Sequence, residues 1–252
     1  MRIKEWWDKM MRKGHERTVK AKKNILLSMI YKALGILIGF AYFPISLSYL
    51  GEEKFAIFLI MVSMVDWFAE FDIGIGNGLR NRLGEALADG SDEDAKGYVS
   101  TAFFAIGSIF SGIALIVIGF SFIIPWADWL EADPTLDRQI MILAVMMFGA
   151  FAINFIGSMV NQIFYAMQRT GIVNFFGLLV KASFLVLIII LMYTTEESLI
   201  LYGAAKTFTF AFIPLAIALY YFNFSKDLKK FKPSLEYVKR NYFDKMFSLG
   251  FQ

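Results

Sequence analysis

The stretch IVNFFGLLVKASFLVLIIILMY, residues 172–193, decides the fold. It exceeds the roughly 20 residues that carry an α-helix across a bilayer core of about 30 Å, and its one charge is Lys181. That lysine lies about nine residues in, or roughly 13 Å at a 1.5 Å rise per residue. Of the chain's intramembrane lysines it is the least able to lift its ammonium to the interface by snorkelling. A lysine near mid-bilayer costs about 2.5–3.5 kcal/mol on insertion scales, so Lys181 is expected to face a partner or a wet cavity instead of lipid.

Five more stretches read the same way: Ile25 to Leu47, Phe55 to Gly76, Val99 to Ile124, Ile140 to Phe164 and Leu199 to Phe222. The 252-residue chain is 58% hydrophobic, 17% aromatic and only 19% charged, which excludes a water-soluble fold. Backbone polar groups in lipid must be satisfied within the segment, and period-two alternation is missing, so helices are expected and a barrel is not. The predicted class is an all-α polytopic membrane protein, a six-helix bundle. Its first span is too long for a signal-peptide core and no small-residue cleavage site follows it, so it should stay as an uncleaved anchor. With no cysteine and one histidine, His15, the chain has little material for thiol, zinc or His-based chemistry. Neither a metal nor another cofactor is expected.

Orientation follows from the lysines and arginines, which cytoplasmic flanks carry in excess. Of 25, nine precede the first span, three lie between Asn77 and Tyr98, one is Arg169 and seven follow Phe222. Lys54 and Arg138 fall on the other side, so both termini are expected in the cytoplasm. Residues 1–24 then form a basic interfacial segment with Ile3, Trp6, Trp7, Met10 and Met11 at helical spacing, and 223–252 a basic cytoplasmic tail. Trp126, Trp129 and Tyr193 should mark the outer interface, and Tyr165, Tyr220 and Tyr221 the inner. From Leu79 a surface helix is predicted, with Leu83, Ala86 and Leu87 on its buried face. Ser91, Asp92, Glu93 and Asp94 then cap the third span.

Polar residues recur at three- and four-residue steps inside the spans, so they share faces. The first span offers Ser28, Lys32, Gly35 and Gly39; the fourth, Asn154, Gly157, Ser158, Asn161 and Gln162. Asn174, Gly177 and Lys181 follow on the fifth, and Tyr202, Gly203, Lys206 and Thr209 on the sixth. Small and polar stripes are commonly packing devices. Packing needs no cation, however, so Lys32, Lys181 and Lys206 are the candidate binding residues. Asp66, Glu70 and Asp72 on the second span balance them, either as structural ion pairs or beside a water-filled path where ion binding is coupled to movement. Pro214, inside the sixth span, predicts a kink.

The glycine-rich segment FDIGIGNGLRNRLGEAL, Phe71 to Leu87, follows no predicted strand, so it is not read as a nucleotide loop. Its glycines end a membrane helix and turn the chain along the surface, bringing Arg80 and Arg82 to headgroup level, where guanidinium groups bind phosphate. With AKGYVSTA (Ala95 to Ala102) and NQIFYAMQR (Asn161 to Arg169), this segment resembles the polysaccharide-transport branch of the multidrug/oligosaccharidyl-lipid/polysaccharide exporter superfamily, the Wzx-type O-antigen flippases. The resemblance implies a multi-pass carrier of the bacterial inner membrane that moves an undecaprenyl-diphosphate-linked glycan between leaflets by alternating access. Lys32, Lys181 and Lys206 would line its cavity, with Arg80 and Arg82 at the mouth. Such flippases have two six-helix lobes, and this sequence supplies one. A second lobe or a homodimer partner is therefore expected, and the ending at Gln252 reads as an interruption.

Two other readings fit the same residues. A multidrug-type cation antiporter of the same superfamily would use Asp66 or Glu70 as its coupling site. A non-transporting scaffold would use lysine–acid pairs only to hold helices together. An enzyme is disfavoured because no nucleophile–base constellation is visible. The expected partners are the bilayer and its lipid-linked cargo, not nucleic acid.

Overall fold

The computed structural model describes residues 16–69 and 74–250, and among these every regular element is helical. The interfacial residues before Glu16, together with Glu70 and Asp72, lie outside the described residues.

Helix α1 (Glu16–Ala69) is broken once, at Gly51, whose φ of 73° and ψ of 172° are open essentially to glycine alone. There the chain doubles back. The rings of Phe43 and Phe55 meet edge to face with centroids 5.1 Å apart, whereas a straight helix would separate them by about 18 Å. Tyr49 and Phe58, on opposite arms of this hairpin, both pack against Tyr202. The hairpin tip is tied on two sides. Tyr49 donates to the Glu196 carbonyl at 2.9 Å, Lys54 meets Glu197 at 2.7 Å, and Glu53 accepts from the Asp133 backbone N–H at 2.9 Å.

After Gly74, which takes a left-handed φ of 70°, α2 (Ile75–Ala88) buries Leu83 and Ala86 as expected and Leu79 as well, while Leu87 is half-buried. Its start lies four residues before the expected one. Helix α3 (Asp92–Ser121) carries the expected cap: the Ser91 hydroxyl accepts from the Asp94 N–H at 3.4 Å, and three acids occupy the first turn. A short helix, α4 (Trp126–Trp129), holds the two tryptophans expected at the outer interface. Trp126 is only 1% exposed because its indole N–H is drawn to the Ser121 carbonyl at 3.0 Å, one of the acceptors that a helix C-terminus leaves unsatisfied. Trp129 and Tyr193 are exposed.

Helix α5 (Asp137–Ala166) is the axis of the bundle, touching α1, α2 and α3 together with the helices that follow. Phe148, Phe151, Ile163 and Phe164 are wholly buried along it. Then come α6 (Thr170–Thr194), which pairs chiefly with α1, α7 (Leu199–Thr207), a π-helical turn (Phe208–Phe212) and α8 (Ile213–Phe224). Where Pro214 predicts a kink, the structure has this π turn just before the proline. Proline has no N–H for the carbonyl four residues back, that of Phe210, and its ring crowds that oxygen. Asn154 of α5 donates its amide to the Phe210 carbonyl at 2.5 Å, and Gly157, one turn on, lets the backbone of Pro214 and Leu215 come so close that a Cβ there would stand 2.5 Å from the Leu215 nitrogen.

The residues after Phe224 pack back onto the bundle. Leu228 and Phe231 are buried, and α9 (Arg240–Gly250) lies on α2 and α3 with Tyr242 and Met246 inside. Two glycines make the seat: a Cβ on Gly78 would come 2.2 Å from the Met246 carbonyl oxygen, and one on Gly97 2.3 Å from the Tyr242 ring. Burial pushes the Tyr242 hydroxyl up to about 12, so it stays protonated and donates to Asp94 at 2.9 Å.

Among the described residues, five helices are long and apolar enough to cross a membrane, one of them the whole of residues 22–68 in the α1 hairpin. The chain is a multi-pass, all-helical membrane protein.

Candidate functional site

Three of the predicted cations come together along the seam between α1, α6 and α7. Lys32 and Lys181 line one groove of about 440 Å³ between α1, α5 and α6, with Tyr31, Asn161, Tyr165 and Asn174 around them. Lys181 also lines the next cavity, about 200 Å³, where Lys206 faces it beside Tyr42, Phe184 and Thr209. Lys206 in turn lines a third space of about 60 Å³ with Asp66 and Phe210. The order Lys32, Lys181, Lys206, Asp66 is thus set by shared walls.

The local sequence explains each placement. Gly35, one turn beyond Lys32, leaves room for the Lys181 side chain, whose Nζ lies 3.7 Å from where a Gly35 Cβ would stand. Asn174 donates to the Ser28 hydroxyl, joining α6 to α1 just inside the groove. The Lys206 ammonium lies 5.2 Å from the Phe184 ring centre and 5.5 Å from that of Phe210, within cation–π range. Asp66 and Lys181 both act on it electrostatically.

Among the described residues, none of the ion pairs joins an intramembrane lysine to an acid. The pairs lie at the rims instead: Lys54–Glu197, Arg82–Glu85, Arg169–Asp227 and Lys230–Asp92. This speaks against Asp66 as a direct structural partner of Lys206.

The two arginines divide. Arg80 sets its guanidinium 5.4 Å from the ring centre of Tyr165, a wall of the Lys32–Lys181 groove, and so stands at that groove's end. Arg82 is engaged elsewhere, with Glu85 at 2.8 Å and the Lys245 carbonyl at 3.3 Å, where it helps seat α9.

Sequence reading missed Tyr31, Tyr42 and Phe184 as walls of these cavities. Phe184 was reachable, since it lies three residues after Lys181 and so on the same helix face. Tyr31 and Tyr42 were not, because nothing in one helix says which of its aromatics borders a gap between two others. The stripe glycines also separate. Gly157 and Gly203 are pressed by neighbours, Leu143 standing 2.4 Å from a Gly203 Cβ, whereas among the described residues no heavy atom lies within 4 Å of a Cβ on Gly39 or Gly177.

Comparison with known proteins agrees with the resemblance read from the loop. No family model matches the chain. Over 77 residues, 27% of this chain and 17% of the relative, it is 38% identical to a Salmonella typhimurium protein named "Putative O-antigen transporter". A Salmonella typhi protein of the same name is 41% identical over 56 residues, 22% of this chain and 12% of its own length. The fold is shared with solved transporters. An outward-facing multidrug resistance MATE family transporter of the MOP superfamily superposes with a TM-score of 0.72 at 16% identity, covering 92% of this chain and 51% of that one. A point mutant of a MATE protein gives 0.71 at 14% identity, with 92% and 52% covered. The chain spans about half the length of these structures and a smaller part of the curated relatives. Together these likenesses show the fold of the solved transporters and a partial sequence match to two proteins named for O-antigen transport.

Proposed function

We propose that this chain moves a lipid-linked oligosaccharide, a surface-polysaccharide precursor, across the bacterial cytoplasmic membrane by alternating access. In this reading the two arms of α1 cross separately, giving six spans with both termini in the cytoplasm. A second lobe or a second copy closes the path. Arg80, Lys32, Lys181 and Lys206 meet the diphosphate and its glycan in succession, Arg82 supports the mouth through the seat of α9, and Asp66 couples ion movement to the cycle. Glu70 and Asp72 extend that acidic set in the same proposal. The reading is one of carriage and not of catalysis.

The observation that carries it is the sharing of walls: Lys181 borders both Lys32 and Lys206 in adjoining cavities, without a carboxylate paired to any of them among the described residues. Ammonium groups at membrane depth are costly and mark substrate or ion pathways. Curated relatives named for O-antigen transport support the cargo class.

The test is export of surface polysaccharide in cells whose own copy is deleted. Lys181→Met should abolish export at normal protein abundance in the membrane. Normal export by that variant refutes the reading and leaves a scaffold, and proton-driven dye efflux independent of any glycan would favour a cation antiporter instead.

A further inference from the structure

We propose that residues 225–240 form a seat for anionic lipid: Leu235 and Val238 enter the leaflet at which α3 begins, and the lysines around them hold its anionic headgroups. The proposal is independent of the cargo and rests on where this segment is pinned.

In sequence these residues read as a basic tail, yet the structure fixes them to the flank of a membrane-crossing helix. The Ser234 N–H donates to the Ser100 hydroxyl at 3.1 Å, and the Lys239 N–H to the Thr101 hydroxyl at 3.2 Å. Both acceptors belong to α3 and lie roughly 12 Å along its axis from its first residue, Asp92, at 1.5 Å per residue. They open the apolar run that starts at Val99, so the 3₁₀ turn between the two bonds (Leu235–Tyr237) is level with the edge of the hydrocarbon. Non-helical backbone near that depth is tolerated where the protein itself serves its polar groups. Besides Ser234 and Lys239, the N–H groups of Phe231, Lys232, Tyr237 and Val238 are bonded to carbonyls of the same segment.

What projects from the turn is apolar. Leu235 is 72% exposed and Val238 38%. Phe224, next to the Asn223 side chain that accepts from Lys232 at 2.8 Å, is 75% exposed. The charge around them is one-sided. Residues 225–240 hold six basic side chains and two acidic ones, Asp227, paired with Arg169 at 2.8 Å, and Glu236. Lys226, Lys229, Lys232, Lys239 and Arg240 are all exposed. Apolar side chains at hydrocarbon level with lysines at headgroup level match an anionic leaflet, which attracts basic juxtamembrane segments. A protein cover fits less well. Helix α3 packs chiefly on α5 and α2, so this flank lies away from the α1–α6 seam that carries the intramembrane lysines. The same face of α3 continues into lipid-compatible surface, because Leu115, about four turns past Thr101, is 69% exposed.

Because the chain has no cysteine, a single introduced thiol reports on depth. The full chain carrying Leu235→Cys is labelled with an environment-sensitive fluorophore and reconstituted in vesicles of phosphatidylcholine, with or without phosphatidylglycerol. Asp89→Cys, in the exposed turn between α2 and α3, is the aqueous control. Lipids with a nitroxide on the acyl chain should quench the Leu235 probe and not the Asp89 probe, and aqueous iodide should do the reverse. In phosphatidylglycerol vesicles Lys229→Gln and Lys239→Gln should each lower the ratio of seated to withdrawn probe about fivefold, the worth of one juxtamembrane lysine near an anionic surface. In phosphatidylcholine alone they should change nothing. Equal quenching of both probes by iodide overturns the proposal. So does a Leu235 probe shielded from lipid and iodide alike, which would mean that a second copy or another protein covers the turn, and so does lipid quenching indifferent to phosphatidylglycerol.

Discussion

Pro214 and Asn154 form a pair whose worth can be measured. Replacing Asn154 by Leu removes the donor that serves the Phe210 carbonyl at 2.5 Å, the oxygen that Pro214 deprives of its helical N–H. Interhelical hydrogen bonds inside membranes average about 0.6 kcal/mol and reach about 1.7. This one belongs near the top of that range because its acceptor has lost its helical donor, so Asn154→Leu should cost about 1.5 kcal/mol. Pro214→Ala restores the N–H and lets the π turn close to an ordinary helix. In that background the amide is redundant, and Asn154→Leu should cost no more than about 0.5 kcal/mol, the usual error of additivity. The coupling energy is then about 1 kcal/mol. Equilibrium unfolding of the four proteins in mixed micelles, followed by tryptophan fluorescence, measures it. Costs that add within about 0.5 kcal/mol would refute the assignment of Asn154 as the substitute donor. The cycle has a functional side, because Lys206 lies two residues before the π turn. Removing the extra residue of a π turn rotates what precedes it by about 100°, one residue's turn of helix, which carries Lys206 away from Lys181. Pro214→Ala should therefore export poorly while folding well.

Three further outcomes follow from the geometry. Gly97→Ala should loosen α9, since its Cβ would sit 2.3 Å from the Tyr242 ring, and limited proteolysis should cut between residues 225 and 250 faster; Gly177→Ala, which meets nothing within 4 Å among the described residues, should leave unfolding unchanged. Lys54→Met should cost under about 1 kcal/mol in the same unfolding assay, because its partner Glu197 is 59% exposed, so a larger loss would mean that the hairpin tip carries more of the fold than an exposed pair can.

Much of the fold was legible because membrane crossing imposes length and apolarity on each segment separately. The cap at Ser91, the surface helix with Leu79, Leu83 and Ala86, and the break at Pro214 were equally local, each set by a few neighbouring residues. What the sequence withheld was relational. It put a loop between Leu47 and Phe55, where the chain instead keeps helical geometry on both sides of the single residue Gly51. The seat of α9 was invisible because it is made by Gly78 and Gly97, far from Tyr242 and Met246 in sequence, and a glycine does not announce which helix will lie on it. The three lysines could be recognised as anomalies one by one. That Lys181 is the shared wall between the other two depends on helix rotations that no single segment encodes.

The polar face of α5 shows why a stripe of small and amide residues has no single meaning. Asn154, Gly157 and Asn161 fall at three- and four-residue steps and share a face, yet the first two close the gap to the Pro214 kink while the third lines the Lys32–Lys181 groove with its oxygen unserved. The difference lies in the neighbour. Where a backbone comes within about 3 Å of a would-be Cβ, as at Gly157, the glycine is a weld, and the amide beside it replaces a lost helical donor. Where, among the described residues, no atom comes within 4 Å, as at Gly177 and Gly39, the same residue type leaves space, and lysines line that space in both places. Sequence periodicity detects the face, and clearance decides its use. Substitution by alanine reads the distinction directly: at a weld it should lower stability, and at a wall it should leave stability alone while narrowing what the cavity admits.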